Sequence, residues 1–400
     1  MGRAPDGDAP TGLTPSALAE VPGRPLSLYV HVPYCASRCG YCDFNTYTAA
    51  ELGSAPGTGQ QAYLEGVRAE IGQAAAVLGS GRPQVSSVFF GGGTPTLLPV
   101  AELVGVLGAL REKFAFADTC EVTTEANPET LSREYLAALH DGGFTRLSLG
   151  MQSAAPHVLA TLERRHTPGR VADAVRWARE AGFASVSLDL IYGTPGESMD
   201  DWRTSLQAAL ACEPDHISAY ALIVEEGTRF ATRLRRGELL APDDDDLADK
   251  YLVTEAALTG AGLGWYEVSN WARPGHECQH NLAYWRGDHW WGFGPGAHSH
   301  VGGVRWWNVA HPRAYSEALA DGRSPALAQE TLTPTDRHVE AVLLETRLAD
   351  GLPLAALSDS ERARVAGFVE RGLVSLTGER LRLTVDGRLL ADAVVRDLLD

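Results

Sequence analysis

Three cysteines lie close together near the start of the chain, at Cys35, Cys39 and Cys42. Thiolates in one short loop can converge on a metal centre without help from distant segments. A structural zinc site normally has four protein ligands, whereas this loop supplies three. His31 is a possible fourth ligand, but a side chain inside a strand is awkwardly directed toward the loop. The spacing therefore favours a metal centre with an open coordination position over zinc or three incidental buried thiols.

A second unusual segment is rich in tryptophan and histidine. Seven of the nine tryptophans lie between Trp265 and Trp307, and six of the twelve histidines lie between His276 and His311. This density exceeds that of an ordinary hydrophobic core. An aromatic plug that closes the fold would use the same residues as a binding site, so composition alone leaves both interpretations open.

Apolar runs and amphipathic segments alternate along the first half of the chain, which is typical of parallel strands joined by right-handed helical crossovers. The predicted strands are 28–32, 85–90, 121–125, 146–150, 185–191 and 216–222, and the predicted helices are 61–78, 100–114, 133–141, 171–181 and 201–212. This pattern predicts an open or closed α/β barrel.

The unusual residues of this barrel follow the predicted strands. These segments are 33–44, 91–95, 125–128, 150–153 and 189–195. Function in parallel α/β sheets is found at the carboxyl ends of the strands. We therefore expect these loops to line one mouth of the barrel.

The composition changes along the chain predict four regions. Residues 1–24 are rich in Gly, Pro, Ala and Asp and are predicted to form a disordered tail. Residues 25–240 form the predicted barrel, and residues 241–324 form a connecting region. Residues 325–400 combine helix, strand, a turn at Gly378 and strand, which is typical of a small winged-helix-like α+β lobe.

Charge and hydropathy exclude several classes of protein. The 34 basic residues against 51 acidic ones give a formal charge of -17, which disfavours nucleic acid as a partner. No stretch approaches the roughly 20 apolar residues of a membrane-spanning helix, and the N-terminus lacks the apolar core of a signal peptide. We expect a cytoplasmic protein with no integral membrane segment, although peripheral membrane association remains open. The isolated thiols Cys120, Cys212 and Cys278 are predicted to be buried and structural.

The cysteine loop resembles the CxxxCxxC signature of the radical SAM superfamily, whose members bind a [4Fe-4S] cluster and S-adenosylmethionine (SAM) on a partial or full α/β barrel. Nearly the whole chain after residue 25 is similar to the oxygen-independent coproporphyrinogen III oxidase family. The segments that carry this similarity are Tyr29–Cys35, Gly91–Thr96, Glu125–Pro128, Leu188–Pro195 and the C-terminal lobe. The resemblance implies a partial (β/α)6-type radical SAM barrel with a winged-helix-like lobe.

The resemblance also implies which residues contact the cofactors. Cys35, Cys39 and Cys42 would bind the cluster. The residues that match SAM contacts are Tyr29, Tyr41, Gly92, Gly93, Thr94, Glu125, Gln152, Arg164, Asp189, Ala221 and His298. Glycines let the backbone approach a ligand closely, carboxylates suit ribose hydroxyls, and an arginine suits an anionic group. The alternatives are a tight strand-to-helix turn for the glycines and satisfied polar residues at a barrel mouth for the others.

The chain departs from the oxidase pattern in its cysteine loop. The oxidase has a further cysteine two residues after the third ligand, and Phe44 stands there in this chain. Phenylalanine can neither ligate a metal nor transfer a proton. The first strand also begins after only about 25 residues, which leaves little room for the oxidase's N-terminal extension. Both departures argue against oxidative decarboxylation.

A motif further along the chain resembles one in the HemW subgroup, which is associated with haem. His280, Asn281, Tyr284 and Trp285 match HNxxYW. A neutral imidazole nitrogen can ligate haem iron, and nearby aromatic rings can cover the flat macrocycle. His298 and His300 are further candidates for the iron ligand.

These features together predict a haem chaperone. It would bind haem, pass it to an acceptor protein that the sequence does not identify, and retain the cluster and SAM. The alternative is an oxygen-independent coproporphyrinogen III oxidase or another radical SAM catalyst. A DNA-binding regulator that uses the C-terminal lobe is a third possibility, and the acidic charge disfavours it.

Overall fold

The computed structural model describes residues 7–164, 167 and 169–400. The strands are β1 Leu26–Val32, β2 Val85–Gly92, β3 Phe116–Ala126, β4 Arg146–Gln152, β5 Ser185–Tyr192, β6 His216–Ala221, β7 Gly264–Glu267, β8 Asn270–Ala272, β9 His289–Phe293, β10 His298–Val301, β11 Val304–Asn308, β12 Ala326–Thr331, β13 Leu352–Pro353, β14 Val374–Thr377 and β15 Arg380–Leu383.

The helices of the same residues are α1 Pro15–Glu20, α2 Ala49–Leu52, α3 Gln60–Leu78, α4 Val100–Lys113, α5 Arg133–Asp141, α6 Pro156–Thr161, α7 Arg170–Ala181, α8 Met199–Leu210, α9 Arg229–Arg235, α10 Asp244–Gly260, α11 Gln279–Trp285, α12 Pro312–Ala320, α13 Pro334–Glu345, α14 Asp359–Glu370, α15 Val385–Leu389 and α16 Ala391–Leu399. In the described part of the chain, none is long and apolar enough to cross a membrane.

The barrel strands β1 to β6 are parallel and adjacent in chain order, as the alternating pattern predicts. Beyond β1 the sheet continues through β9, β10, β11 and β12, and beyond β6 it continues through β8 and β7. Within the described residues the sheet ends in two different edge strands, β12 and β7, that do not pair with each other, so it is not closed by hydrogen bonds. The barrel is therefore partial.

The predicted pattern did not include β9, which comes from the tryptophan- and histidine-rich segment. β9 pairs with β1 in parallel, with Leu28 opposite Trp291 and Val30 opposite Phe293. Helix α11 packs against β2 and β9. The tryptophan- and histidine-rich segment is therefore built into the barrel wall on the β1 side.

Helix ends in the barrel and in the lobe follow local sequence signals. Ser198 begins α8 with a capping box completed by Asp201. Ser358 and Glu361 form the same box at α14. Reciprocal hydrogen bonds of this kind satisfy backbone N–H groups that the first helical turn leaves unpaired.

The C-terminal lobe has its own core and its own sheet. β15 lies between β13 and β14 in an antiparallel sheet, and the core packs Leu352, Phe368, Leu381 and Val394. This helix, strand and hairpin order matches the winged-helix-like prediction. β12 belongs to the large sheet rather than to the lobe, so the lobe begins with α13 and not at residue 325. The difference arises because β12 pairs with β11 along its whole length.

The tail is more ordered than its composition predicts. Residues 1–6 lie outside the described residues, but Pro15–Glu20 form a helix capped by Thr14. Ala17 and Val21 pack into the main core, which compensates the entropic cost of ordering this segment. The prediction of disorder through residue 24 is therefore wrong for this helix.

The isolated thiols differ in burial. Cys278 is buried, as predicted, whereas Cys120 and Cys212 are half-buried. Cys120 lies inside β3 next to the exposed Thr119, and Cys212 follows α8 between the exposed Ala211 and Glu213. These exposed neighbours leave both thiols partly open to solvent.

Candidate functional site

The loops at the mouth of the barrel surround one cavity of about 660 Å³. Most of the predicted cofactor residues line it: Cys35, Cys39, Tyr41, Cys42, Gly92, Gly93, Thr94, Glu125, Gln152, Arg164, Asp189 and Ala221. Asn281 of the HNxxYW motif lines the same cavity. The structure thus brings together side chains that are separated by more than half of the sequence.

Backbone contacts fix the shape of the cysteine loop. The Cys35 N–H donates to the carbonyl of Tyr47 (3.0 Å), and the Tyr47 N–H donates to the carbonyl of Pro33 (2.7 Å). His31 Nε2 lies 2.8 Å from the carbonyl oxygen of Asn45, so this nitrogen carries the hydrogen. His31 is thus a brace for the loop and not a metal ligand.

The three thiols of the loop are free and half-buried. The Thr94 hydroxyl donates to Cys35 Sγ (4.0 Å), and Arg164 Nη1 donates to Cys39 Sγ (3.7 Å). Burial raises the pKa of Cys35, and burial with the neighbouring thiols raises the pKa of Cys42 to about 11. A positively charged metal centre would favour the thiolate forms.

The donor set fits a three-cysteine cluster. Among the described residues, no three His, Cys, Asp or Glu side chains are arranged to hold a single metal ion. A four-iron cluster makes a different demand, since each thiolate binds its own iron atom. Three free thiols on one short loop, with an arginine and a hydroxyl aimed at two of them, supply suitable ligands and sulfur hydrogen bonds.

The glycine loop after β2 can only be built from glycine. Gly92 has a φ of 105°, and a Cβ there would lie 2.5 Å from the ring of His31. A Cβ on Gly93 would lie 2.4 Å from the backbone oxygen of Tyr34. The glycine backbone therefore passes directly beside the end of β1 and the start of the cysteine loop, and this internal packing is what requires glycine at both positions.

Two carboxyl groups, both half-buried, line the cavity. Glu125 Oε2 accepts from the Gly92 N–H (3.1 Å), and burial followed by the nearby Asp189 charge raises the pKa of Glu125 to about 8. Both oxygens of Asp189 accept from the Ser148 hydroxyl (3.1 and 3.2 Å), and burial raises the pKa of Asp189. Both carboxyl groups line the cavity, where their oxygens can accept hydrogen bonds from ligand hydroxyl groups.

Gln152 and Arg164 also line the cavity. Gln152 has a φ of 67°, an uncommon left-handed conformation for a residue other than glycine. Arg164 Nη2 donates to the carbonyl of Gly150 (3.0 Å) while its Nη1 reaches Cys39. Strained backbone conformations of this kind concentrate at ligand sites.

Two residues predicted to contact SAM do not line the cavity. The Tyr29 hydroxyl donates to His31 Nδ1 (3.0 Å), because His31 Nε2 already carries the ring hydrogen. His298 is an exposed residue of β10 whose ring stacks on Trp307 at 5.7 Å. Tyr29 therefore supports His31 behind the cysteine loop, and His298 packs against Trp307 outside the cavity.

The HNxxYW motif forms helix α11, and its histidine is buried. His280 is 1 % exposed, and its ring stacks on Phe89 at 5.2 Å. Nδ1 lies 2.9 Å from Ser87 Oγ, and Nε2 lies 3.0 Å from the Tyr284 hydroxyl. Burial lowers the pKa of His280 to about 3, so the ring is neutral. Both nitrogens have partners, and a haem iron must displace one of them to bind.

The rest of the motif connects His280 to its surroundings. The Tyr284 ring meets Trp290 edge-on at 4.8 Å. Asn281 Nδ2 donates to the buried Glu267 Oε1 (3.4 Å), and Trp285 lies close to the same carboxyl group. His300, the other candidate ligand, is buried with its Nδ1 3.2 Å from the carbonyl oxygen of Asp288.

Sequence reasoning missed the hydroxyl groups inside the barrel. Ser87, Ser148, Ser187 and Ser218 are serines of buried strands, and the first two contact His280 and Asp189. Their signal was visible as serines that recur within otherwise apolar runs. Glu267 was also missed, because a lone glutamate beside a tight turn carries no motif.

The parallel strands, the glycine loop and the three thiols at the strand ends define the radical SAM class. A family model of the radical SAM superfamily matches residues 29–209, and one of the HemN C-terminal domain matches residues 332–390. The chain also resembles the solved structure of coproporphyrinogen III oxidase (HemN) from Escherichia coli, described as a radical SAM enzyme. The TM-score is 0.80 at 26 % identity, with 96 % of this chain and 92 % of that chain covered.

Curated relatives identify the family within this class. A Mycobacterium tuberculosis protein named Heme chaperone HemW is 54 % identical over 382 residues, which cover 96 % of this chain and 97 % of the relative. Proteins of the same name from Bacillus subtilis and Escherichia coli are each 32 % identical, covering 92 % and 93 % of this chain and 97 % of each relative. The chain belongs to the HemW family.

Proposed function

We propose that this protein binds haem through the HNxxYW motif and passes it to an acceptor protein. The observation that carries the proposal is the environment of His280. Its neutral imidazole is held by two neutral hydroxyl groups, and one of them belongs to the half-buried Tyr284. A neutral histidine beside aromatic rings is the arrangement that a haem site requires. The names of the curated relatives support the same function.

The barrel mouth would hold the [4Fe-4S] cluster on Cys35, Cys39 and Cys42, with SAM beside Gly93 and Glu125. When bound, these cofactors supply one-electron redox chemistry at the open iron. The protein's own part is to orient them. Arg164 and Thr94 donate to two of the thiols, and Gly92 and Gly93 present backbone without side chains to the cavity.

Phe44 favours a chaperone over a porphyrinogen oxidase. It lines the rim of the cavity and is 58 % exposed. This chain therefore has an apolar side chain at the position where the oxidase has its further cysteine. The close structural likeness to HemN keeps the oxidase as the second candidate. One assay separates them: coproporphyrinogen III loss and 5′-deoxyadenosine formation are followed under anaerobic, reducing conditions beside a haem titration.

The haem titration uses His280→Ala with His157→Ala as the matched control. His157 is an exposed histidine on the outside of the barrel, paired with Asp201. We expect His280→Ala to weaken haem binding or shift its Soret band, and His157→Ala to bind as wild type does. An unchanged spectrum and affinity in His280→Ala would contradict the assignment, and porphyrinogen turnover by wild-type protein would establish the oxidase instead.

The net charge of the protein indicates which kind of haem acceptor it suits. With a net charge of -17, the surface is suited to a protein acceptor with a complementary basic patch rather than to nucleic acid. We place this exchange in the cytoplasm. Cross-linking of haem-loaded and haem-free protein in cell extracts tests whether an acceptor binds selectively to the loaded form.

A further inference from the structure

Four side chains form a hydrogen-bonded relay that ends at the surface side of α11. Ser27 on β1 and Ser87 on β2 are opposite each other in the parallel pair, and both are fully buried. Ser87 Oγ donates to Ser27 Oγ at 2.8 Å and lies 2.9 Å from His280 Nδ1. Tyr284, half-buried, lies 3.0 Å from His280 Nε2.

The contacts of the relay determine where the hydrogens of Ser87, His280 and Tyr284 lie. A serine hydroxyl has one hydrogen, and that of Ser87 is used toward Ser27. Toward His280, Ser87 can therefore only accept, so Nδ1 must carry the ring hydrogen. A neutral imidazole has one N–H, which leaves a lone pair on Nε2. The Tyr284 hydroxyl must then donate to Nε2.

We infer that Ser87, held by Ser27, is a positioning residue that keeps His280 in the Nδ1–H form, so that Nε2 is the haem-iron ligand once haem displaces the Tyr284 hydroxyl. The inference rests on the proposed haem binding and goes beyond it by assigning the nitrogen, its orienting partner and the group that leaves. Metal-binding histidines generally donate their other N–H to a partner that fixes the ring. The relay supplies this partner before the metal arrives.

The surroundings of His280 favour loss of its hydrogen bond to Tyr284 rather than of its hydrogen bond to Ser87. Phe89 covers one face of the imidazole at 5.2 Å, and Ser87 is fully buried behind Nδ1. Tyr284 is partly open to solvent and contacts Trp290 edge-on. Movement of Tyr284 exposes Nε2 without breaking the buried serine pair.

The first test measures the tautomer in haem-free protein that retains its cluster. Protein labelled with ¹⁵N-histidine is compared by NMR with His280→Gln, whose missing signals identify His280. We expect a protonated Nδ1 and an unprotonated Nε2. Ser27→Ala releases the Ser87 hydroxyl to donate to Nδ1, so the Nε2–H form should increase. Ser86→Ala is the matched control, because Ser86 lies on the same strand and bonds Leu26 instead.

The second test is the haem affinity of the same variants. Ser87→Ala and Ser27→Ala should lose about 10- to 100-fold in affinity, as outer-shell changes at metal sites do, and Ser86→Ala should bind as wild type does. A protonated Nε2 in wild-type protein, or wild-type affinity in both relay variants, overturns the inference. A wild-type protein that binds no haem overturns the proposed function, and the NMR result separates that failure from a wrong tautomer.

Discussion

Glu267 should make the stability of this protein fall as pH rises. The side chain is 1 % exposed, and burial raises its pKa from 4.5 to about 8. One oxygen accepts from Asn270 (2.5 Å) and Asn281, while Oε2 has no hydrogen-bond partner among the described residues. An ionised carboxylate with one oxygen unsatisfied is costly to bury, so the folded protein keeps Glu267 protonated near neutral pH.

The size of the effect follows from linkage. Below pH 4.5 the folded and unfolded chains are both protonated at this site. Between pH 4.5 and about 8 the unfolded chain loses its proton and the folded chain does not, so the free energy of unfolding falls by about 1.4 kcal/mol per pH unit. At pH 7 the accumulated cost is about 3 kcal/mol relative to acid conditions. Glu267→Gln removes this cost because its amide oxygen can still accept from Asn270 and Asn281.

The assay compares urea unfolding of wild type and Glu267→Gln at several pH values from 5 to 8, using tryptophan fluorescence. Subtracting the free energy of unfolding of wild type from that of the variant removes the contribution of the titrating groups that both proteins share. We expect the free energy of unfolding of the variant to rise relative to that of wild type by about 3 kcal/mol across this range. Haem binding should be retained because the glutamine oxygen can still accept from Asn281. A difference that stays flat with pH, or that reverses in sign, would refute the reasoning.

Three further predictions concern the barrel mouth. Replacing all three cysteines of the loop with Ala should abolish the iron–sulfur absorbance of anaerobically reconstituted protein; retained absorbance with bound iron and sulfide would mean that the cluster has other ligands. Gly93→Ala should lose SAM binding in equilibrium dialysis, because its Cβ meets a backbone oxygen at 2.4 Å, whereas Gly108→Ala, in open space on α4, should bind normally and be more stable by about 0.5–1 kcal/mol. Equal SAM affinity in the two glycine variants would sink that argument. Tyr29→Phe removes the hydroxyl that His31 accepts from, so the cluster should be lost faster in air; an unchanged rate would show that the brace is dispensable.

The barrel could be predicted from sequence because its signals are local. Strand β4 begins at Arg146 and helix α5 spans Arg133–Asp141, as the alternating pattern predicts. Three thiols on one loop and three successive glycines are likewise local. The cavity that collects them follows from one rule, that the carboxyl ends of parallel strands share an edge.

The remaining features depend on contacts between distant segments. Nothing near Trp291 indicates that β9 pairs with β1, and the close approach of Gly294 to His31 emerges only in three dimensions. The same holds for Ser87 and His280, which are 193 residues apart. The assignments of individual SAM and haem contacts stay predictions, and the placement of Tyr29 and His298 outside the cavity shows where they are weakest.

The ordered part of the N-terminal tail has a consequence for aggregation. β12 is an edge strand of the large sheet, and Asp8 pairs with it through reciprocal hydrogen bonds to Gln329 (2.8 and 3.0 Å). The Thr11 N–H donates to the Gln329 side chain as well (2.9 Å). An exposed edge strand is a template for pairing with a second molecule. Because Asp8 occupies the backbone N–H and carbonyl of Gln329, this part of the edge is not available for pairing with a second copy of the protein, although nothing in the composition of the tail marks it as protective.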